Sequence, residues 1–225
     1  MTYKYYGQFD PPVDQFLHQR YFQNSPADLV YIECGAFDGE YESSGKFFEE
    51  TLHWRAINIE PSPLIFPRLA ENRPGSLNLN VALSNRRGSA LFHDVHFPGW
   101  ELCTNGSLSH TPQHRKILDD VGCSYETATV NVTTYDALIR NYGIEHLELL
   151  ILDVEGHEIE ALEGLKYSSV LPRILCVEHG QLGEEVIRRM VEPLGYRFDT
   201  SLFVNSYFVR NAGSNGKRTS KPSVG

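Results

Sequence analysis

The chain reads as an α/β fold, a mostly parallel sheet closed by an antiparallel strand pair at its carboxyl end. Three observations point there. Short apolar runs alternate with helical stretches, which is the βα repeat of a parallel sheet. The first run breaks into a glycine-punctuated turn, Glu33-Cys34-Gly35-Ala36-Phe37-Asp38-Gly39. The last two runs, 196–199 and 202–210, are joined too tightly for the crossover that a parallel return needs. With 225 residues and 41% hydrophobic content the chain can bury one substantial core. The expectation is a single domain over 1–210, followed by a Gly-, Ser- and Lys-bearing tail over 211–225 too polar to fold.

Val13, Phe16, Leu17 and Phe22 recur at near-helical spacing and predict a leading helix over 12–22. Apolar runs bounded by turn residues then predict strands over 29–34, 56–60 and 77–83, with helices over 45–52 and 63–72 between them. From 84 to 129 the pattern loosens. Residues 89–95 alternate, and Pro98-Gly99, Asn105-Gly106 and Thr111-Pro112 mark turns. That stretch is long for a connection and predicts an insertion over the site. A helix over 135–142, a strand over 147–153, a helix over 156–166, a strand over 173–178 and a helix over 184–194 lead into the closing pair. No internal repeat is present.

Glycines at the carboxyl end of a central parallel strand let a ligand approach the backbone closely. Twenty-five positions after Gly35 a second run ends in Ile59-Glu60-Pro61. A carboxylate at that tip can accept hydrogen bonds from both ribose hydroxyls, so the pair of motifs points to a nucleoside cofactor. The first loop lacks G-x-G-x-x-G spacing, and Asp38 would repel a pyrophosphate. Glu33, Asp38 and Glu60 suit a cationic cofactor such as S-adenosylmethionine (SAM) instead. A NAD-dependent oxidoreductase is the alternative, weakened further by the lack of a Tyr-x-x-x-Lys pair. A non-catalytic SAM-binding module is a third reading, separable only by turnover.

The glycine turn, Ser43-Ser44-Gly45 with Phe47-Phe48-Glu49, Trp54, Ile59-Glu60-Pro61-Ser62, Asn72-Arg73, Asn80-Val81-Ala82-Leu83, Thr133-Thr134-Tyr135-Asp136-Ala137-Leu138 and Leu150-Ile151-Leu152-Asp153-Val154-Glu155-Gly156-His157-Glu158 follow one another in order. This series, over roughly residues 8 to 180, resembles the motifs of FkbM-type SAM-dependent methyltransferases. Glu33 stands where Asp is commoner, and Ser43-Ser44-Gly45 replaces a Ser-Asn-Thr pattern. The resemblance implies a Rossmann-like class I SAM-dependent methyltransferase fold. It also implies cofactor contacts from Glu33, Gly35, Ala36, Asp38, Gly39, Glu60, Pro61, Ser62, Asn80, Val81 and Asp153. The expected reaction is methyl transfer to a hydroxyl oxygen of a small molecule, sugar, glycoconjugate or polyketide-type natural product.

Asp153 ends the fourth strand of the parallel series, and Glu155, His157 and Glu158 follow within five residues. A hydroxyl attacking a methyl group must lose its proton, and His157 is the expected general base. Asp153 can orient His157, bind the cofactor's amino group, or join Glu155 in holding Mg²⁺. No third ligand for such a metal is apparent. Glu158 and Glu163 are expected to face solvent or cap the following helix. The spaced pairs His93/His96 and His110/His114 are expected in a cleft or in water. Glu178-His179 ends a strand, where site residues gather.

The net charge of −9 argues against a phosphate-backbone partner. The four cysteines are widely spaced with no C-x-x-C pair, as in a reducing compartment. Neither a signal-type apolar segment nor a membrane-length run occurs, so the expectation is a soluble, cytoplasmic protein.

Overall fold

The structure is a computed structural model describing residues 3–99 and 103–211. Nearly all of the tail expected to be unfolded therefore lies outside the described residues. Its core is a seven-stranded sheet. In spatial order the strands are β3 (Leu77–Leu79), β2 (Arg55–Ile59), β1 (Val30–Cys34), β7 (Leu149–Leu152), β8 (Ile174–Glu178), β10 (Asn205–Arg210) and β9 (Tyr196–Leu202). Every pairing is parallel as far as β8, and β10 is antiparallel to both of its neighbours.

The central strands are buried on both faces, which is why they read as unbroken apolar runs. Alternation along each strand sends side chains to two layers. Ile32, Ile57, Leu150, Leu152, Leu175 and Val177 pack with Leu138 of α5 (Tyr135–Asn141), Leu162 of α6 (Glu158–Glu163) and Ile187 of α7 (Glu184–Val191). Tyr31, Ala56, Leu149, Ile151 and Ile174 pack on the opposite face against Val13 and Leu17 of α1 (Val13–Leu17), and against Phe47 and Phe48 of α2 (Lys46–Glu50). The leading helix over 12–22 is α1 continued by a π-helical turn, His18–Phe22.

Register fixes the site. Cys34 lies opposite both Ile59 and Leu152, and Leu152 opposite Val177. The residues that follow, Gly35, Glu60, Asp153 and Glu178, therefore collect on one edge of the sheet. Ligands bind at that edge in open α/β sheets.

Two sequence expectations are corrected. The strand over 77–83 is two strands in different sheets, β3 and β4 (Ala82–Ser84). The Asn80 side-chain amide between them donates to the carbonyls of Glu60 (2.9 Å) and Pro61 (3.1 Å), which turns the chain out of the first sheet. The stretch over 84–129 is also more regular than its composition suggests. β4 pairs with β6 (Ser124–Thr134), which pairs antiparallel with β5 (Gly88–His96) along the whole length of β5, and α4 (Pro112–Asp120) lies between β5 and β6 in the chain. On the other edge of β5, Ser107 and His93 exchange backbone hydrogen bonds of 2.9 and 3.1 Å, and Cys103 N donates to Val95 O at 3.0 Å. This returning segment brings residues 103–109 to the sheet edge that carries the site.

Candidate active site

The loop after β1 is held from below by Arg73, which follows α3 (Phe66–Asn72). Its buried guanidinium donates to Gly39 O (3.1 Å) and Tyr31 Oη (2.7 Å) and pairs with Glu49. Gly35 sits at φ +82°, and a side chain there would overlap the carbonyl oxygen of Asp153. The glycine thus serves the close approach of β7's end to the loop, not only a ligand. Gly39 packs beneath Arg73 and Leu69, each 2.7 Å from where a Cβ would lie. Asp38 Oδ1 accepts from the backbone N–H groups of Glu40 (2.9 Å) and Tyr41 (2.8 Å). Neither Asp38 nor Gly39 lines the cavity at the strand tips, because both are spent on the shape of the loop. Asn80 and Val81 are likewise outside it. Asn80 braces the turn after β2, and Val81 packs on the core.

The cavity has a volume of 290 Å³, and Glu33, Gly35, Ala36, Glu60, Pro61, Ser62 and Asp153 contribute to its walls. Glu33 accepts from Ser43 Oγ (3.0 Å) and from the N–H groups of Ser44 (2.8 Å) and Gly45 (3.0 Å). Its carboxyl therefore organises the 43–45 turn, and Ser43-Ser44-Gly45 supplies the donors despite its departure from the family pattern. Burial pushes the Glu33 carboxyl up to about 7, against the pull of Arg73. Glu60 bridges two loops, Oε2 accepting from Phe37 N (3.0 Å) and Oε1 from Ser62 N (2.8 Å). Each oxygen keeps a lone pair for a further donor. Burial raises this carboxyl to about 8.

The tip of β7 is different. The Asp153 carboxylate faces the cavity and receives no hydrogen bond from the described residues, and burial with the nearby charge of Glu42 raises it to about 6. Glu155, in the left-handed region at φ 55°, accepts from Asn105 Nδ2 (3.0 Å) and Gln181 Nε2 (2.7 Å), and His114 Nδ1 lies 3.6 Å away. Burial and the charge of Asp153 lift it to about 8. Glu158 is fully buried and accepts from the N–H groups of Val154 (3.1 Å) and Gly156 (3.1 Å), so it caps its own loop and does not face solvent. Glu178 accepts from Gly180 N at 2.9 Å, its Oε2 has no partner, and burial raises it to about 9.

His157 lines the same cavity. Its Nδ1 pairs with Ser109 Oγ (2.8 Å) and its Nε2 with Ser84 Oγ (2.9 Å). Burial lowers its pKa, which keeps the imidazole neutral and able to accept a proton. Serines orient the ring, so Asp153 does not, contrary to one of the three roles expected for it. Of the spaced histidines, His93 meets Thr127 at 3.2 Å, while His110 meets Asn105 O at 2.6 Å and His114 reaches Glu155. His179 Nδ1 bonds Ser206 Oγ at 2.9 Å. Among the described residues, no group of three or more His, Cys, Asp or Glu side chains is placed to hold a metal ion, so the Mg²⁺ that is one of three options for Asp153 with Glu155 gains no further ligand.

Ser84, Asp94, Asn105, Ser109 and Gln181 were not singled out from the sequence as site residues. Each comes from a segment remote in the chain, and only the second sheet and the β8–α7 loop bring them in. The nearest sequence signal was the Asn105-Gly106 turn.

A parallel sheet whose last strand inserts antiparallel, with a glycine turn and carboxylates at its carboxyl edge, is the class I SAM-dependent methyltransferase fold. The model of the methyltransferase FkbM domain matches residues 33–198. The chain belongs to the FkbM methyltransferase family. It is 26% identical over 164 residues to the 2-O-methyltransferase NoeI of Sinorhizobium fredii, the match covering 68% of this chain and 63% of that protein. The chain thus spans less than two thirds of that relative. Among solved structures, the methyltransferase FkbM from Methylobacillus flagellatus is similar with a TM-score of 0.49 and 13% identity, over 87% of this chain and 50% of that one. A TehB-like SAM-dependent methyltransferase from Corynebacterium glutamicum gives 0.44 and 9%, over 88% of each chain. No helix of the described residues is long and apolar enough to cross a membrane.

Proposed function

We propose that this chain transfers the methyl group of SAM to a hydroxyl oxygen of a small molecule, sugar or natural product, with residues 1–210 acting as one methyltransferase domain. The observation that carries the reading is the Asp153 carboxylate, facing the cavity without a protein partner beside three further buried carboxyls. An unpartnered carboxylate there, among carboxyls that a nearby cation would help to ionise, fits a ligand with a sulfonium and an ammonium group. The cofactor's chemistry, when bound, is an electrophilic methyl. Glu60 is positioned to take the ribose hydroxyls, and Asp153 the amino group. Glu155, clamped by Asn105 and Gln181, fixes the loop that presents His157. The hydrogen-free nitrogen of His157 takes the proton released from the acceptor hydroxyl, directly or through the serine bonded to it. Alignment within the cavity supplies most of the acceleration. The name of the NoeI relative favours oxygen over nitrogen as the acceptor atom.

Calorimetry with SAM, S-adenosylhomocysteine and NAD tests the cofactor, and release of S-adenosylhomocysteine in the presence of hydroxylated saccharides tests the reaction. Binding of NAD without SAM would overturn the reading.

A further inference from the structure

Asp94 belongs to the second sheet, on the face of β5 that also buries Phe92. It is only 3% exposed, yet it lines the cavity. The Ser62 hydroxyl lies beside this carboxylate, opposing the rise that burial imposes on it, while accepting from Leu64 N and Ile65 N, both at 3.2 Å. The second oxygen, Oδ2, is buried with no hydrogen-bond partner among the described residues. A buried carboxylate oxygen left this way costs free energy, and a ligand donor is the natural remedy at a cavity wall.

The surroundings narrow the donor. Phe92, Ile65, Ala82, Leu83 and Leu108 give this end of the cavity apolar walls. Such a slot suits the faces of a flat heterocycle, with one polar group left to read its edge. Asp94 sits near enough to Glu60 for its charge to be felt there, with Ser62 bonded to Glu60 and lying beside Asp94. Glu60 is the proposed ribose contact, so a polar group this close to it in the same cavity is within reach of the base that the ribose carries. Asn80, which the family resemblance had placed at the cofactor, turns its amide to the 60–62 carbonyls instead and leaves this edge to Asp94.

We propose that Asp94 selects the cofactor's nucleobase, its free oxygen accepting a hydrogen bond from the exocyclic amine of adenine. This rests on the reading that SAM occupies the cavity. A carboxylate oxygen facing a ring carbonyl would repel it, so the site rejects a 6-oxo base as well as accepting a 6-amino one.

The test compares S-adenosylhomocysteine with S-inosylhomocysteine, in which a carbonyl replaces that amine, by calorimetry on the full chain. The parent protein should bind the adenosyl form about 10- to 100-fold more tightly, the scale of a charge-assisted hydrogen bond. Asp94→Asn is isosteric and its amide can donate to the carbonyl, so the preference should shrink to within about threefold. Thermal denaturation checks that this variant is folded, and the parent's own preference needs no variant. Equal binding of the two ligands by the parent, or an unchanged preference in Asp94→Asn, would overturn the assignment while the methyltransferase reading stands. Failure of the folded parent to bind either ligand would remove both.

Discussion

The tips of β2 and β7 both end in carboxylates at one cavity, yet they are built on opposite principles. At β2, each oxygen of Glu60 accepts a backbone N–H, one from the loop after β1 and one from its own turn. At β7, Asp153 has no such donor and stands beside Glu155, Glu158 and Glu178, all held above the usual carboxylate range by burial. The first tip is finished by the protein. The second leaves Asp153 and one oxygen of Glu178 without a donor among the described residues, so the two should respond differently to mutation and to pH.

The largest expected effect joins them. Gly35 lies between Ile59 O, to which its N–H donates at 3.1 Å, and Asp153 O. Gly35→Val must relieve both a backbone overlap and a positive φ, and should cost on the order of 3 kcal/mol or more in stability. Denaturant unfolding that places the variant within 1 kcal/mol of the parent, itself about the precision of such a comparison, would show that the tips are not coupled here.

Next, His157→Ala should lower turnover by about 10²- to 10⁴-fold while SAM affinity stays close to the parent's. Parental turnover in that variant, measured as S-adenosylhomocysteine released, removes His157 as the base. A parallel loss of SAM binding would move it to the cofactor side of the comparison.

Glu60→Ala should weaken SAM by about 1–3 kcal/mol, and lower stability as well, since the N–H groups of Phe37 and Ser62 lose their acceptor. Asp153→Asn should weaken SAM without lowering stability, because no protein donor depends on that carboxylate. Calorimetry and thermal melts on the two variants together decide this, and equal thermal losses would erase the distinction between the tips.

The smallest effect is in pH. Asp153, Glu155 and Glu178 hold protons more tightly folded, near 6, 8 and 9, than at their ordinary values of 3.8 and 4.5. Their contribution to stability is full below about pH 4 and is lost as pH rises through those folded values. The ligand-free protein should melt a few degrees lower, roughly 5 °C, at pH 8 than at pH 5.5. SAM should raise the melting temperature more at pH 8, where Asp153 is ionised and Glu155 has begun to ionise, than at pH 5.5. A ligand-free midpoint that rises over this interval contradicts the sign.

The parallel strands were legible because burial on both faces leaves an apolar run that no surface helix imitates, and Gly35, Glu60 and Asp153 were legible because strand tips are where such runs stop. β6 was not, since its exposed Thr, Glu and Asn positions dilute the alternation to what looks like loop. Nor could the split of 77–83 be seen, because it depends on where the carbonyls of 60–62 lie. Asp38, Gly39, Asn80 and Val81, expected from the motifs at the cofactor, do not line the cavity, and for a common reason. A motif marks residues that keep a loop in shape as strongly as residues that touch a ligand.

Asn80 carries one more consequence. Its amide grips the turn after β2 while its backbone hands the chain from the first sheet to the second. The turn after β2 and the sheet bearing Asp94 are thereby one mechanical unit. Their amide protons should exchange with solvent as a single cooperative group, and slow together when the cofactor is present.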